Sequence, residues 1–317
     1  MILKPCNYHV GNKNMTMEST NNKYISEEMI KRQSWKYYFA AVAWPVYLLI
    51  LPVLFSKLGF ITIILMIFPG VFLFTWVGFL MHESWHKYVP NIDNNFFYNL
   101  FCWMLITDPQ LYKMLHGGHH MNVNSWEDRE FHPLGKIRNP VWRIVYNSFE
   151  ILFGTLFIVA ASSLTIPFNP QYKAKYRFRS FAVSLFVWII FLGGIGFLSH
   201  IIFNVSAKSI IISYVISLWI CSFMLHQSQL IEHGNLIIQG DWNVRNLLTR
   251  NLKSDGIPEK IFLFLSHGDS REHVLHHTLV KVYSRPFPGK IPMPEKAIYI
   301  DLKSYLSILW EMLAKAA

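Results

Sequence analysis

Apolar positions along this chain gather into long blocks separated by short polar breaks. Windows of about 19 residues, the length used to find membrane helices, give strong apolar segments at 37–56, 58–81, 181–203 and 207–230. Each is long enough to cross about 30 Å of hydrocarbon. The linkers Ser56-Lys57-Leu58 and Asn204-Val205-Ser206-Ala207-Lys208 are short enough to be turns between antiparallel neighbours. The pattern predicts four spanning helices in two tight hairpins, each entering and leaving on one side.

Charge orients the hairpins. Lys23, Lys31, Arg32 and Lys36 precede the first helix. Lys113, Arg129, Lys136, Arg138 and Arg143 follow the second, and Lys173, Lys175, Arg177 and Arg179 precede the third. The positive-inside rule makes that side cytoplasmic, in a bacterial inner membrane or the endoplasmic reticulum. A fifth apolar stretch, Ile151 to Phe168, complicates the count. A further crossing there would put the basic run YKAKYRFRS on the opposite side from residues 113 to 143. It is therefore expected to be interfacial or re-entrant.

Composition agrees with a multi-pass membrane protein. The 317 residues are 52% hydrophobic and 15% charged, with a mean hydropathy of +0.27. The first 35 residues are polar without an apolar h-region, so no cleaved signal peptide is expected. The net charge of +10 is accounted for by basic loops beside anionic lipid headgroups and gives no reason to expect a nucleic-acid partner. Cys6, Cys102 and Cys221 are scattered and form no C-x-x-C pair, so neither a disulfide framework nor a cysteine metal site is expected. The expected architecture is all-α: about four membrane helices in two hairpins, interfacial helices and a cytoplasmic histidine-rich cap. Residues 1–36 form a polar N-terminal segment, 37–290 a catalytic domain and 291–317 a C-terminal cytoplasmic segment.

The chemistry sits where the blocks end. FLMHESWHKY, residues 79 to 88, closes the second block with His82 and His86. Alone, HESWH fits the H-E-x-x-H pattern of zinc peptidases, with Glu83 as general base. A second pattern, H-x-x-H-H, occurs as His116, His119, His120 and again as His273, His276, His277. Offsets of three and four place three imidazoles on one helix face. Gly117 and Gly118 lower helix propensity in the first copy, which suits a helix end. His233, in the run LIEHGN, falls where the fourth helix reaches the cytoplasmic side. Nine histidines thus converge on one face of the membrane.

The remaining histidines are expected to do less. His9 and His267 are surface or hydrogen-bonded residues, His200 lies toward the far face, and His132 is structural. His226, two turns before His233 with Gln229 between, is expected to line a tunnel or support a ligand. One zinc ion takes about four ligands, so nine imidazoles suit two metal ions. A peptidase built on HESWH would leave seven of them without a role. A metal transporter would carry its ligands near the bilayer midplane rather than at one rim. Imidazole alone does not select the metal. A site beneath helices that enclose an acyl chain, however, suits oxidation of an unactivated C–H bond, which needs a redox metal and oxygen.

HESWH, HGGHH and HVLHH, in that order and with a hairpin before the third, resemble the membrane fatty-acid desaturase and hydroxylase superfamily. HHMNVNSWEDREFHP is similar to the Asn- and Asp/Glu-containing stretch after the second box in that group. EHG at 232 to 234 is similar to its isolated histidine between the second and third boxes. The resemblance covers roughly residues 37 to 290.

It implies two iron ions, O2 as co-substrate and two electrons from a separate donor such as ferredoxin or cytochrome b5 with its reductase. It also implies an acyl substrate presented as lipid, acyl-CoA or acyl carrier protein. Carried over by position, the ligands are His82, His86, His116, His119, His120, His233, His273, His276 and His277, with Asn235 as a further contact through water. Asp108, Glu127, Asp128, Glu130, Asp269, Glu272 and Glu83 are candidates to orient ligand imidazoles. Desaturation is the expected reaction, and hydroxylation and oxidative decarboxylation on the same scaffold remain open. A shift of about 1 Å in substrate placement can change a rate about 100-fold.

Overall fold

Inside hydrocarbon a backbone amide without a partner costs several kcal/mol, and a helix pairs all of its own. The apolar blocks accordingly fold as helices. The computed structural model describes residues 34–87, 91–165, 179, 182–183, 185–278 and 292–314. Lys23, Lys31, Arg32, Cys6, His9, most of YKAKYRFRS and most of the stretch after His277 lie outside the described residues.

Helix α1 spans Trp35–Leu58 and α2 spans Ile61–His86. Two short helices follow, α3 at Asn94–Met104 and α4 at Pro109–Asn122. Then come α5 at Pro140–Phe153, α6 at Thr155–Thr165, α7 at Leu185–Phe203 and α8 at Ala207–His233. Helix α9 covers Trp242–Leu247, β1 Arg250–Leu252, α10 Ile257–Leu265 and α11 His273–Thr278. Strand β2 at Ile298–Ile300 pairs in parallel with β1, and α12 spans Leu302–Ala314. The two short strands are the one departure from an all-helical pattern among the described residues.

Helices α1, α2, α7 and α8 are long and apolar enough to cross a membrane, which makes the chain an integral membrane protein. The residues expected to form the first turn, Ser56 to Leu58, belong instead to the end of α1. The reversal falls at Gly59, whose φ of 58° lies in the left-handed region that favours glycine. Helices α2 and α8 run on past residues 81 and 230, where the apolar windows end, to His86 and His233. A hydropathy window stops at the first polar residues, whereas the helical hydrogen bonds do not. Those extra turns carry the site.

Polar side chains pin the bundle from within. Tyr47 Oη lies 2.8 Å from Ser217 Oγ, Tyr214 donates to the Leu48 carbonyl at 2.9 Å, and Ser199 donates to Leu49 at 2.9 Å. Such bonds average about 0.6 kcal/mol inside membranes, so close packing carries most of the association. Trp44, Leu48, Val77 and Phe101 are fully buried in that packing. Ile64, Phe68, Ile189 and Phe197 face outward, as a lipid-facing belt requires.

The fifth apolar stretch breaks at Gly154, with φ 58°. A Cβ there would sit 2.4 Å from the Ser222 carbonyl oxygen, so α8 passes too close for any side chain. Ser222 Oγ accepts from the Leu156 amide at 2.7 Å and donates to the Phe153 carbonyl at 2.8 Å. One hydroxyl therefore satisfies a donor and an acceptor freed by the break, while Trp219 and Gln227, also on α8, donate to the Leu152 and Ile151 carbonyls. At 1.5 Å per residue the 11-residue α6 covers about half of a 30 Å core. It lies beside the lower part of the site.

Candidate metal centre

Local sequence rules place the histidine-bearing helices. Asp108 caps α4 by accepting from the amides of Gln110 and Leu111, and Pro109 occupies the first helical position. This use occupies Asp108, which bonds no imidazole. From that start, His116, His119 and His120 fall in the last two turns of α4, the helix-end position that the two glycines suggested. Beyond Asp269–Arg271, a single 3-10 turn, the third motif forms the short helix α11 with all three of its histidines buried.

The nine imidazoles meet. Five Nε2 atoms form a closed ring: His82 to His86 at 3.3 Å, His86 to His116 at 3.3 Å, His116 to His120 at 3.1 Å, His120 to His276 at 3.0 Å and His276 to His82 at 3.1 Å. The other four gather beside it. His233 Nε2 is 3.1 Å and His277 Nε2 3.0 Å from His273 Nε2. The His119 ring packs at 4.7 Å from His233 and 5.0 Å from His277. Glu232 Oε2 stands 3.4 Å from His273 Nε2.

Hydrogen bonds cannot account for the ring of five. A given imidazole nitrogen carries either a proton or a lone pair. Contacts around a closed ring must therefore alternate donor and acceptor, which five members cannot do. A central cation accepts all five lone pairs at once. At a metal–nitrogen distance of about 2.1 Å, adjacent ligands sit about 3 Å apart, the spacing found here. Each of the groups His82, His86, His116, His120, His276 and His119, His233, His277 has its ligand atoms within 4.8 Å of one another, as does Glu232, His233, His273. These clusters can hold metal.

Carboxylates and an amide fix which nitrogen faces inward. His116 Nδ1 donates to Glu130 at 2.9 Å, His119 Nδ1 to Asp128 at 2.7 Å and His233 Nδ1 to the Asn124 side-chain oxygen at 3.0 Å. Each bond puts the proton on Nδ1 and leaves the Nε2 lone pair toward the cluster. Burial, reinforced by neighbouring imidazoles, pushes His120, His276 and His277 well below the usual histidine range. They are held neutral, the form a metal needs. At His119 burial pushes down, but Asp128 and Glu130 outweigh it and the net shift is upward. Glu130 is drawn below the usual carboxylate range because His116 overcomes its burial. Asp128→Asn is expected to weaken metal binding about 10- to 100-fold, measured by competition with a chelator; unchanged affinity would deny Asp128 this role.

Of the other candidates, Asp269 Oδ1 lies 3.9 Å from His273 Nδ1, Glu272 faces Arg271, and Glu127 is exposed. Glu83 is buried on α2. Asn235, next but one to His233, has a φ of 51° and a buried side-chain oxygen that accepts no hydrogen bond among the described residues. His200 bonds the Val205 carbonyl, and His267 bonds the Phe72 carbonyl and stacks on Trp76. His132 packs on Trp126. His226 sits between Glu150, 3.3 Å from Nε2, and Gln229, 2.8 Å from Nδ1. It is Gln229 that reaches the cavity wall. Sequence reasoning overlooked Asn124 and Glu232. The signal for Glu232 was a carboxylate next to His233 at the end of a membrane helix, a costly position.

A cavity opens from both clusters down between α2, α6 and α8. His82, His116, His119, His233 and His273 line its upper end, and Phe74, Gly78, Leu225, Leu156, Ile158 and Val159 line the rest.

A family model described as fatty acid desaturase matches residues 58–284. The chain belongs to the fatty acid desaturase family. Membership makes it an oxidoreductase and implies an acyl substrate. Among curated proteins and among solved structures, nothing matches the chain significantly.

Proposed function

We propose that this chain is an O2-dependent di-iron desaturase that introduces a double bond into an acyl chain, with its metal site on the cytoplasmic side. The observation that carries this reading is the pair of imidazole clusters opening onto an apolar cavity inside a membrane bundle. One iron would be held by His82, His86, His116, His120 and His276, and the other by His119, His233, His273 and His277, with the Glu232 carboxylate beside them. The bound iron supplies the oxidising chemistry. In balance, a –CH2–CH2– unit, one O2, two electrons and two protons yield –CH=CH– and two waters.

The protein's own part is positional. Glu130, Asp128 and Asn124 hold three imidazoles in one tautomer. The apolar walls bind the chain, exclude water and present one methylene pair to the clusters, where orientation governs rate. The side assignment rests on the basic residues that flank the hairpins.

Expression in a host lacking the activity, with a compatible electron donor, is expected to yield an acyl product two hydrogens lighter by mass spectrometry. Gain of one oxygen would replace the reading with hydroxylation, and a terminal alkene one carbon shorter with oxidative decarboxylation. Iron-loaded, reducible protein that changes no acyl species would remove the acyl assignment.

A further inference from the structure

Helix α10 begins among charges and ends among apolar rings. Lys253, Asp255, Glu259 and Lys260 lie before it or in its first turn, whereas residues 261–268, IFLFLSHG, contain no Asp, Glu, Lys or Arg. Its outward side is apolar. Ile257 is 74% exposed, Ile261 51% and Phe264 66%, and their spacing puts all three on one helix face. Leu263 and Leu265 are buried on the other side.

The far end of α10 is tied to α2 part-way along its span. Phe264 stacks on Phe72 with ring centroids 5.2 Å apart, and His267 Nε2 donates to the Phe72 carbonyl at 2.9 Å. The Leu265 carbonyl lies 2.6 Å from Thr75 Oγ1, closer than the carbonyls of Val71 at 2.8 Å and Phe72 at 3.1 Å, so the hydroxyl proton goes to α10. Phe72 stands about 4 Å along the helix from the midpoint of the apolar block 58–81. Leu265 also shares an apolar recess with Trp219 and Ile220 of α8, which lie beside the midpoint of the block 207–230. Two spanning helices thus give the tip one depth, near the middle of the bilayer.

The start of α10 lies at the other level. Asn251, just upstream, accepts from the Val274 amide of α11 at 3.0 Å, beside the histidine clusters. Nine residues reach about 14 Å, close to half of a 30 Å core. A helix of that length with its tip near the midplane begins at the headgroups, where its charges fall.

The tip leaves no carbonyl of the last turn open. Phe262 accepts from the Ser266 amide at 2.9 Å, Leu263 from Gly268 at 2.7 Å, Phe264 from His267 at 3.3 Å and Leu265 from Thr75. These are the four groups that a helix end ordinarily gives to water. In hydrocarbon each needs a partner within the protein. The chain then reverses through His267 and Gly268, with φ of 52° and 76°, and returns to α11.

We infer that α10 is a re-entrant membrane helix whose stripe of Ile257, Ile261 and Phe264 lies against the acyl chains of one leaflet. It enters from the face that carries the histidines and stops near the midplane. The stripe continues the lipid-facing belt of α2, where Phe68 is exposed one turn from Phe72. Windows of about 19 residues overlook it because its apolar run is too short to fill one. The third histidine motif is thereby hung from a tip anchored in the membrane. This placement is independent of the reaction that the site performs.

The test uses the full iron-loaded chain in nanodiscs, with Cys6, Cys102 and Cys221 replaced by alanine and a bimane label on one introduced cysteine at a time. Three quenchers are compared: iodide in water, phosphatidylcholine brominated near the headgroup, and phosphatidylcholine brominated near the chain ends. Phe264→Cys is expected to match the lipid-facing control Phe68→Cys, with strongest quenching by chain-end bromine. Its iodide quenching is expected to be at least about 10-fold weaker than at exposed Glu127→Cys, because an ion is costly inside the bilayer. Ile257→Cys is expected to respond most to headgroup bromine. Ile261→Cys, with a response between the two, serves where Phe264→Cys fails to fold.

Iodide quenching at Phe264→Cys or Ile261→Cys equal to that at Glu127→Cys would overturn the inference by placing α10 in water. Weak quenching by all three agents would also overturn it, because protein, from this chain or a second copy, would then cover the stripe. Headgroup bromine acting most strongly at all three positions would do the same, since α10 would then lie flat on the surface.

Discussion

Replacing His276 with alanine is expected to cut acyl turnover by more than about 100-fold and to lower bound iron from about two atoms per chain toward one. Loss of a group that merely orients a ligand already costs about 10- to 100-fold in metal affinity or activity, and loss of a ligand costs more. His276 closes the ring, standing 3.1 Å from His82 and 3.0 Å from His120. It thereby ties α11 to α2 and α4. The same outcome is expected for His86→Ala, and for His119→Ala and His233→Ala with the iron lost from the other cluster.

His200→Ala is the control. That ring is bonded to the Val205 carbonyl at the opposite end of α7, so turnover and iron are expected to stay at wild-type values. Iron analysis beside product formation separates the two loci. Full iron and full turnover in His276→Ala would remove it from the metal site. One tightly held zinc and no iron, after growth with ample iron, would count against a redox centre altogether.

The four spanning helices were legible because an uninterrupted apolar run is the strongest signal a sequence carries. The gathering of nine histidines followed from it, since offsets of three and four on helices of known direction fix a face and an end. What stayed hidden depends on contacts distant in sequence. Asn124 and His233 are 109 residues apart, and no local pattern pairs them. Glu232 and Ser270 meet at 2.8 Å across 38 residues. The break at Gly154 was hidden in the same way, because its freed backbone groups are answered by Ser222, Trp219 and Gln227 on another helix. Asp108 is the opposite case. An Asp-Pro pair opening a helix is a local capping signal, and it outranks the looser inference from proximity to a histidine motif.

Gly78 offers the sharpest separation of substrate binding from metal binding. It lies one turn before His82 on α2 and lines the cavity where α2 approaches α8, so that a Cβ would stand 3.3 Å from Leu225. A single methyl group fits with a small shift of that leucine side chain. A phenylalanine has no room against α8 and must project into the cavity, in the space where the chain approaches the clusters. Because a displacement of about 1 Å can cost about 100-fold, Gly78→Phe is expected to lose at least that factor with long acyl substrates while keeping about two iron atoms. Gly78→Ala is expected to keep most activity. Turnover of short chains, which need less of the cavity, is expected to survive better than that of long ones, and the ratio is read by offering a chain-length series to each variant. Equal losses at every length with iron intact would place the acyl chain elsewhere, and loss of iron would make Gly78 a packing residue of the metal site instead.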